Sequence, residues 1–229
     1  MARRRNPKKN DETLVDIVEA RENAQDIMEA NQSKILMGLL AAVVLIGGFL
    51  AYKYMYQGPR NIEAAEALQQ AQMQFERDSF ALALQNANGD KGFLDIIDNY
   101  SGTKAANLSH YYAGISYLNL GQFDAAISYL EDFSAAGEVL PISKNGALGD
   151  AYGEKGDLDK ALNYYGKAIS AGENEFLTAY YLKKQGLLYE KQGKYAEATK
   201  NFEQIKSKYP FSPDGRDIDK FIARVSAKK

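Results

Sequence analysis

A helical pattern recurs three times in the second half of the chain and restricts its fold more than any other feature. Aligned without gaps, the three segments read AGISYLNLGQFDAA (residues 113–126), LGDAYGEKGDLDKA (148–161) and QGLLYEKQGKYAEA (185–198). Glycine occupies the second and ninth positions of each segment, tyrosine the fifth and alanine the last. Successive segments begin 35 and then 37 residues apart. A repeat of this length is typical of a domain built from stacked structural units.

Each segment has the pattern of two helices joined by a tight turn. Gly149 removes a side chain where the two helices would cross, and Tyr152 fills the space one turn later. Gly156 permits positive φ at the turn, and Ala161 lets the second helix approach the first. Because one such hairpin cannot bury its apolar stripe alone, neighbouring hairpins must stack. The sequence therefore predicts an all-α protein whose main part is an α-solenoid.

The pattern resembles the tetratricopeptide repeat, and the resemblance covers three units over residues 105–210. The early aromatic position of the repeat is occupied instead by His110, Asn145 and Leu182. The resemblance implies that positions on each first helix line an inner groove that binds other proteins. This protein-binding groove is expected to contain Leu108, Tyr111, Ile115, Leu118, Tyr180, Lys183 and Leu187.

The chemistry of this expected groove is mainly apolar and aromatic. Tetratricopeptide units that hold a C-terminal carboxylate use a fixed set of Lys, Asn and Arg. Lys183 matches one basic position of that set, but Leu187 stands where Asn is expected. We therefore expect the groove to bind an apolar helix or extended segment.

An apolar run of 18 residues, ILMGLLAAVVLIGGFLAY, occupies positions 35–52. As a helix it would be roughly 27 Å long, close to the apolar thickness of a bilayer. Lys34 and Lys53 bracket the run, and three tyrosines between positions 52 and 56 suit a membrane interface. We predict a transmembrane helix at 35–56. A buried core helix is disfavoured because the run is apolar on every face, and a cleaved signal peptide because 34 residues precede it.

Residues 1–34 are predicted to form a cytoplasmic tail. Its first nine residues are basic and contain Pro7, whereas residues 11–31 have apolar positions at helical spacing and form a short amphipathic helix. This helix either is solvated or packs on lipid or another membrane protein. The basic start favours a cytoplasmic N-terminus, with the larger C-terminal part outside the cytoplasm.

Two segments flank the predicted repeats. Residues 57–104 are interpreted as a spacer helix followed by a degenerate first repeat. Residues 211–229 are predicted to form a capping helix, with Ser212 as its N-cap and Pro213 at its first position. Such a helix would close the exposed end of the solenoid.

Composition excludes several function classes. The chain has no cysteine and one histidine, His110, so thiolate metal sites and multi-histidine sites are excluded. The 28 basic side chains are balanced by 30 acidic ones, so nothing favours general binding to nucleic acid. We expect a non-enzymatic protein with no cofactor, no metal and no small-molecule substrate. Charge is nonetheless uneven, with a net of −9 over residues 60–182 and +6 over 183–229.

The order of the parts resembles the ancillary Sec translocon subunit family of bacteria. The shared features are a cytoplasmic tail, one span ending in a tyrosine-rich stretch, a spacer helix and tetratricopeptide hairpins. The resemblance implies a single-pass inner-membrane protein with a periplasmic repeat domain. Its implied partners are the Sec translocon, a membrane-anchored periplasmic chaperone, and unfolded or secreted clients. The alternatives are a repeat adaptor for envelope assembly or cell division, and a membrane regulator that signals through its tail.

Overall fold

The computed structural model describes residues 19, 21, 23–25, 28–85 and 89–228, and in this part of the chain all regular structure is helical. The predicted all-α class is thus confirmed for these residues. The predicted basic segment 1–9 and most of the predicted amphipathic helix lie outside the described residues. The chain divides into two compact units, residues 1–59 and 60–229.

The first unit contains helix α1, Gln32–Ala51, followed by a π-helical turn at Tyr52–Gln57. No residue of α1 is buried, and its leucines, valines and isoleucines are exposed. By length and composition this helix qualifies as a candidate membrane span. A signal sequence near an N-terminus meets the same criteria.

The second unit is a succession of helices connected by short turns. In chain order they are α2 Gly58–Phe75, α3 Phe80–Leu84, α4 Phe93–Asn99, α5 Lys104–Asn119, α6 Phe123–Asp132, α7 Leu140–Glu154, α8 Leu158–Ser170, α9 Leu177–Lys191, α10 Tyr195–Lys208, α11 Pro213–Arg216 and α12 Ile218–Ser226. The pairs α5–α6, α7–α8 and α9–α10 are the three hairpins of the repeat. In each pair we call the first member the first helix.

The glycine pattern of the repeat has the structural role that the sequence predicts. An added Cβ at Gly149 would lie 2.6 Å from the ring of Tyr165, and one at Gly186 would lie 2.5 Å from the ring of Phe202. First and second helices therefore cross where the first helix has no side chain. The glycine that follows each first helix has positive φ, 83° at Gly156 for example.

Adjacent hairpins are joined by side chains that cross from one unit to the next. The Tyr181 ring of α9 fills the space above Gly146 of α7, where any Cβ would overlap it. Lys144 donates hydrogen bonds to the carbonyls of Glu131 (3.0 Å) and Phe133 (2.6 Å), at the end of α6. These contacts fix the position of each hairpin on the next one and produce a continuous solenoid.

Both ends of the solenoid differ from the sequence interpretation in detail. Between the spacer helix and α4 there is a further short helix, α3, which the sequence did not predict. The predicted C-terminal helix is divided in two at Asp217, which is not helical (φ −109°, ψ 7°). Ser212 does cap α11, since its Oγ accepts a hydrogen bond from the Gly215 amide at 2.9 Å. Ile218 and Val225 of α12 are buried, so the apolar stripe still covers the last hairpin.

Candidate protein-binding groove

A groove with a cavity of about 700 Å³ runs across the three first helices. Its walls come from the C-terminal halves of α5, α7 and α9, and its ends from the starts of α6 and α8. The lining side chains include Leu118, Asn119, Phe123, Asp150, Glu154, Leu158, Tyr165, Lys184, Leu187, Leu188 and Lys191.

The repeat register explains why these residues meet. Asn119, Glu154 and Lys191 occupy equivalent positions, 35 and 37 residues apart, in the last turn of the three first helices. Because stacked hairpins place equivalent positions side by side, one polar row follows this edge of the groove. Along this row the side-chain charge changes from neutral at Asn119 to negative at Glu154 and positive at Lys191. Within the described residues, neither Glu154 nor Lys191 forms an ion pair.

Asp150 lines the groove and forms hydrogen bonds with two neighbouring side chains. It accepts a hydrogen bond from the Tyr165 hydroxyl at 2.7 Å and one from Lys184 Nζ at 2.7 Å. Burial, together with the negative charge of Asp150, raises the pKa of the Tyr165 hydroxyl, which therefore stays protonated. Burial would lower the pKa of Lys184, but its attraction to Asp150 and a hydrogen bond with Tyr180 raise that pKa overall. Lys184 is thus cationic, and its charge is balanced by the carboxylate of Asp150.

This pairing limits what the groove can bind. A free carboxylate would have to compete with Asp150 for Lys184, and separating a partly buried ion pair is costly. Around the pair, Leu118, Leu158 and Leu187 supply apolar surface. The arrangement suits an apolar segment better than a C-terminal carboxylate.

Of the seven residues that the sequence proposes for the groove, Leu118 and Leu187 line the cavity. Lys183 points elsewhere, forming a 2.6 Å ion pair with Asp214 and lying 5.0 Å from the centre of the Phe221 ring. It therefore ties α9 to the C-terminal cap. Tyr180 is 42% exposed and contacts Lys184, whose Nζ lies 4.8 Å from the tyrosine ring centre.

Three further proposed residues are half-buried on α5. Leu108 packs against the core formed by α2 to α5. Tyr111 lies 5.3 Å, between ring centres, from the buried Phe133. Burial raises the pKa of the Tyr111 hydroxyl, and a hydrogen bond with Ser143 opposes that change. Ile115 packs beside Tyr111 in the core between the first two hairpins.

The sequence analysis missed the polar residues of the groove. Asp150 stands at the repeat position of Ile115 and Leu187, so the register alone placed it beside the proposed residues. Lys184 directly follows Lys183, and only the helix geometry decides which of the two faces the groove.

Outside the groove, chemistry would depend on a metal-binding cluster or on a titratable side chain with a shifted pKa. No group of three or more His, Asp or Glu side chains that could hold a metal ion occurs in the described part of the chain. His110 is half-buried on α5, with its ring centre 6.0 Å from that of Tyr129. Burial lowers the pKa of His110, and the charge of Asp132 opposes this change.

Comparison with known proteins agrees with the helical-repeat fold. Models of the tetratricopeptide repeat match residues 147–213 and residues 109–135. The chain also resembles the crystal structure of a Podospora anserina protein, described as a kinesin light chain with nearly identical tetratricopeptide-like repeats. That match has a TM-score of 0.56 and 14% sequence identity, and covers 73% of this chain and 87% of the other. No curated protein matches the sequence significantly. The second unit is therefore a solenoid that contains tetratricopeptide repeats, a type of domain that binds other proteins.

Proposed function

We propose that this protein is a membrane-anchored scaffold of the bacterial inner membrane that binds a segment of another protein in its groove. The observation that carries the proposal is the groove itself, in which apolar side chains from three successive hairpins surround a neutralised Asp150–Lys184 pair. Large apolar side chains on a solvent-exposed surface favour association with a partner protein. The protein has no catalytic role in this proposal.

The proposed occupant is an apolar helix or extended segment without a terminal carboxylate. Such a segment would bury Leu118 and Leu187 and leave the Asp150–Lys184 pair intact. The rim residues Glu154 and Lys191 have opposite charges, which would orient a segment that carries complementary charges.

The proposed place of action is beside the Sec translocon, as an accessory subunit with its repeat domain in the periplasm. The support is the order of the parts: an exposed apolar helix at Gln32–Ala51 precedes a repeat domain, and the first residues are basic. In this role the groove recruits a membrane-anchored periplasmic chaperone or assists emerging secreted proteins.

Affinity purification of the full chain in mild detergent tests the function. We expect translocon subunits or a membrane-anchored chaperone to co-purify, and the double variant Leu118→Ser/Leu187→Ser to recover much less of them. The matched control is Leu120→Ser, since Leu120 is an exposed leucine at the end of α5 outside the groove lining. Equal recovery with the groove variant would place the contact elsewhere.

A second experiment tests the topology. Protease added to intact spheroplasts is expected to digest the repeat domain and spare the N-terminal tail. Protection of the repeat domain, with digestion only after lysis, would refute the periplasmic location.

A further inference from the structure

Three exposed apolar side chains recur at one edge of the solenoid, near the starts of α7, α9 and α11. Val139 and Phe176 are the N-caps of α7 and α9, and Phe211 lies directly before Ser212, the N-cap of α11. Their exposed fractions are 47%, 60% and 80%. They are 37 and then 35 residues apart, which is the period of the repeat. We call these three residues the apolar edge.

The loop before α9 holds Phe176 in its exposed position. Asn174 Oδ1 accepts hydrogen bonds from the amides of Phe176 (3.1 Å) and Leu177 (2.9 Å). Thr178 Oγ1 accepts one from the Asn174 amide and donates one to the Gly172 carbonyl, each at 3.0 Å. These hydrogen bonds fix the backbone of the loop, so the Cα of Phe176 is held in a defined position at this edge.

The turn that carries Phe211 is fixed in a similar way. Ser212 Oγ donates to the Tyr209 carbonyl at 2.8 Å and accepts from the Gly215 amide at 2.9 Å. A Cβ on Gly215 would lie 2.0 Å from the Tyr209 carbonyl oxygen, so the turn is too tight for any side chain there. Ordering of this kind reduces the entropy lost when a partner binds.

Contacts between the loops make the edge continuous. A Cβ on Gly172 would lie 3.3 Å from the Glu138 carbonyl oxygen, so the loop before α9 packs on the start of α7. Tyr209, at the end of α10, packs in the same core cluster as Ala179 of α9, which joins the next turn to α9. Tyr180 and Lys184 follow Phe176 at intervals of four residues on α9, so one helix face leads from the edge into the groove.

The charges beside the edge indicate the chemistry of its occupant. Glu138 and Glu175 directly precede Val139 and Phe176, and neither forms an ion pair within the described residues. Glu173, in the same loop, is opposed by Lys208 at 3.9 Å. Carboxylates beside two of the three apolar anchors attract a cationic amphipathic segment and repel an anionic lipid surface.

We propose that Val139, Phe176 and Phe211 form a second docking surface, which binds an amphipathic segment of a partner protein that carries apolar side chains and lysine or arginine. Aromatic anchors dominate the affinity of such surfaces, and neighbouring carboxylates set their specificity. None of these three residues lines the groove cavity, so substitutions at the edge and in the groove test the two surfaces separately.

The probe for this surface is a fluorescent peptide of about 14 residues, with leucine and lysine arranged as an amphipathic helix. Fluorescence anisotropy would measure its affinity for the full chain in nanodiscs of phosphatidylcholine. We expect Phe176→Ser/Phe211→Ser to weaken binding by about 10-fold or more. Glu138→Gln/Glu175→Gln should weaken it several-fold and reduce its dependence on salt.

Two control variants locate the effect. Leu120→Ser removes an exposed leucine at the other end of a first helix, and Leu187→Ser removes a groove residue. Leu120→Ser is expected to bind the peptide as the unchanged chain does, and Leu187→Ser measures how much of the binding occurs in the groove. Loss of binding in Leu187→Ser but not in Phe176→Ser/Phe211→Ser would assign the peptide to the groove and overturn the proposal.

Two further results would also overturn it. One is equal binding of a peptide in which glutamate replaces every lysine. The other is adsorption of the chain to phosphatidylglycerol vesicles that is lost in Phe176→Ser/Phe211→Ser while peptide binding is unchanged, which would make the edge a lipid contact. Thermal melts of all variants establish that they are equally folded.

Discussion

Two glycines on the same helix, Gly149 and Gly153 of α7, are expected to respond in opposite directions to the same substitution. An added Cβ at Gly149 would lie 2.6 Å from two atoms of the Tyr165 ring. At Gly153 the nearest atom, the Ala161 Cβ, would be 3.7 Å away, which is ordinary van der Waals contact. Alanine substitution thus tests directly whether the first glycine of the repeat is needed for close approach of the helices.

The magnitudes follow from packing and helix propensity. Replacing glycine by alanine inside a helix stabilises it by about 0.5–1 kcal/mol, and at Gly153 nothing opposes this gain. At Gly149 the new methyl group must displace the Tyr165 ring, and overpacking of this kind costs about 1–3 kcal/mol. Displacement also strains the 2.7 Å hydrogen bond from Tyr165 to Asp150. We therefore expect Gly149→Ala to lower the free energy of unfolding by about 1–2 kcal/mol after the gain in helix propensity is subtracted.

The assay is thermal unfolding of the full chain and of both variants, followed by far-UV circular dichroism. A change of 1 kcal/mol corresponds to about 2–4 °C in a domain of this size. Gly149→Ala should melt several degrees lower and Gly153→Ala a few degrees higher. If Gly149→Ala were as stable as Gly153→Ala, the helices would not cross at Gly149, and the explanation of the repeat pattern would be refuted.

Three other substitutions test separate parts of the structure. Burial would raise the pKa of Glu190, but hydrogen bonds from Arg224 (2.5 Å) and Lys228 (3.3 Å) lower it below its ordinary value of 4.5. The stabilisation is therefore present above that value and lost as the pH falls through the lowered pKa. Glu190→Gln should lower the melting temperature near pH 7 and have little effect near pH 3; a deficit that persists in acid would contradict the ion-pair explanation. Asp150→Asn removes the counter-charge of Lys184, so urea unfolding should show a loss of about 1–2 kcal/mol, and the groove should gain affinity for a peptide with a free C-terminal carboxylate. Absence of that gain would mean that the ion pair with Asp150 does not prevent Lys184 from binding a carboxylate. Ser212→Ala removes the N-cap of α11 and should cost about 1 kcal/mol, while Ser128→Ala, on the exposed face of α6, should cost nothing measurable.

The repeat pattern predicts the fold well because each of its positions has one steric role. Gly149 and Gly186 lie at helix crossings, and Gly156 has the positive φ that its position in the turn predicts. These roles depend on neighbours within the same hairpin, which sequence spacing specifies directly. The period then determines that the hairpins stack.

The groove is harder to predict because its lining depends on contacts between hairpins. The sequence suggested Lys183 for the groove, but Asp214 of the C-terminal cap holds it at 2.6 Å, while Lys184 faces Asp150. The two lysines are adjacent, and spacing alone does not distinguish them. The split of the capping segment at Asp217 is also a matter of tertiary packing, since Ile218 and Val225 must reach the last hairpin.

The central claim, that a partner protein occupies the groove, is tested most directly by site-specific photo-crosslinking in living bacteria. A photoreactive amino acid would replace Leu187 inside the groove and, in a matched control, Ser128 on the exposed face of α6. We expect a specific crosslink to a translocon subunit, a membrane-anchored chaperone or a secreted client from position 187, and none of comparable yield from position 128. Crosslinks of equal yield from both positions, or none from position 187 in folded protein, would contradict the claim.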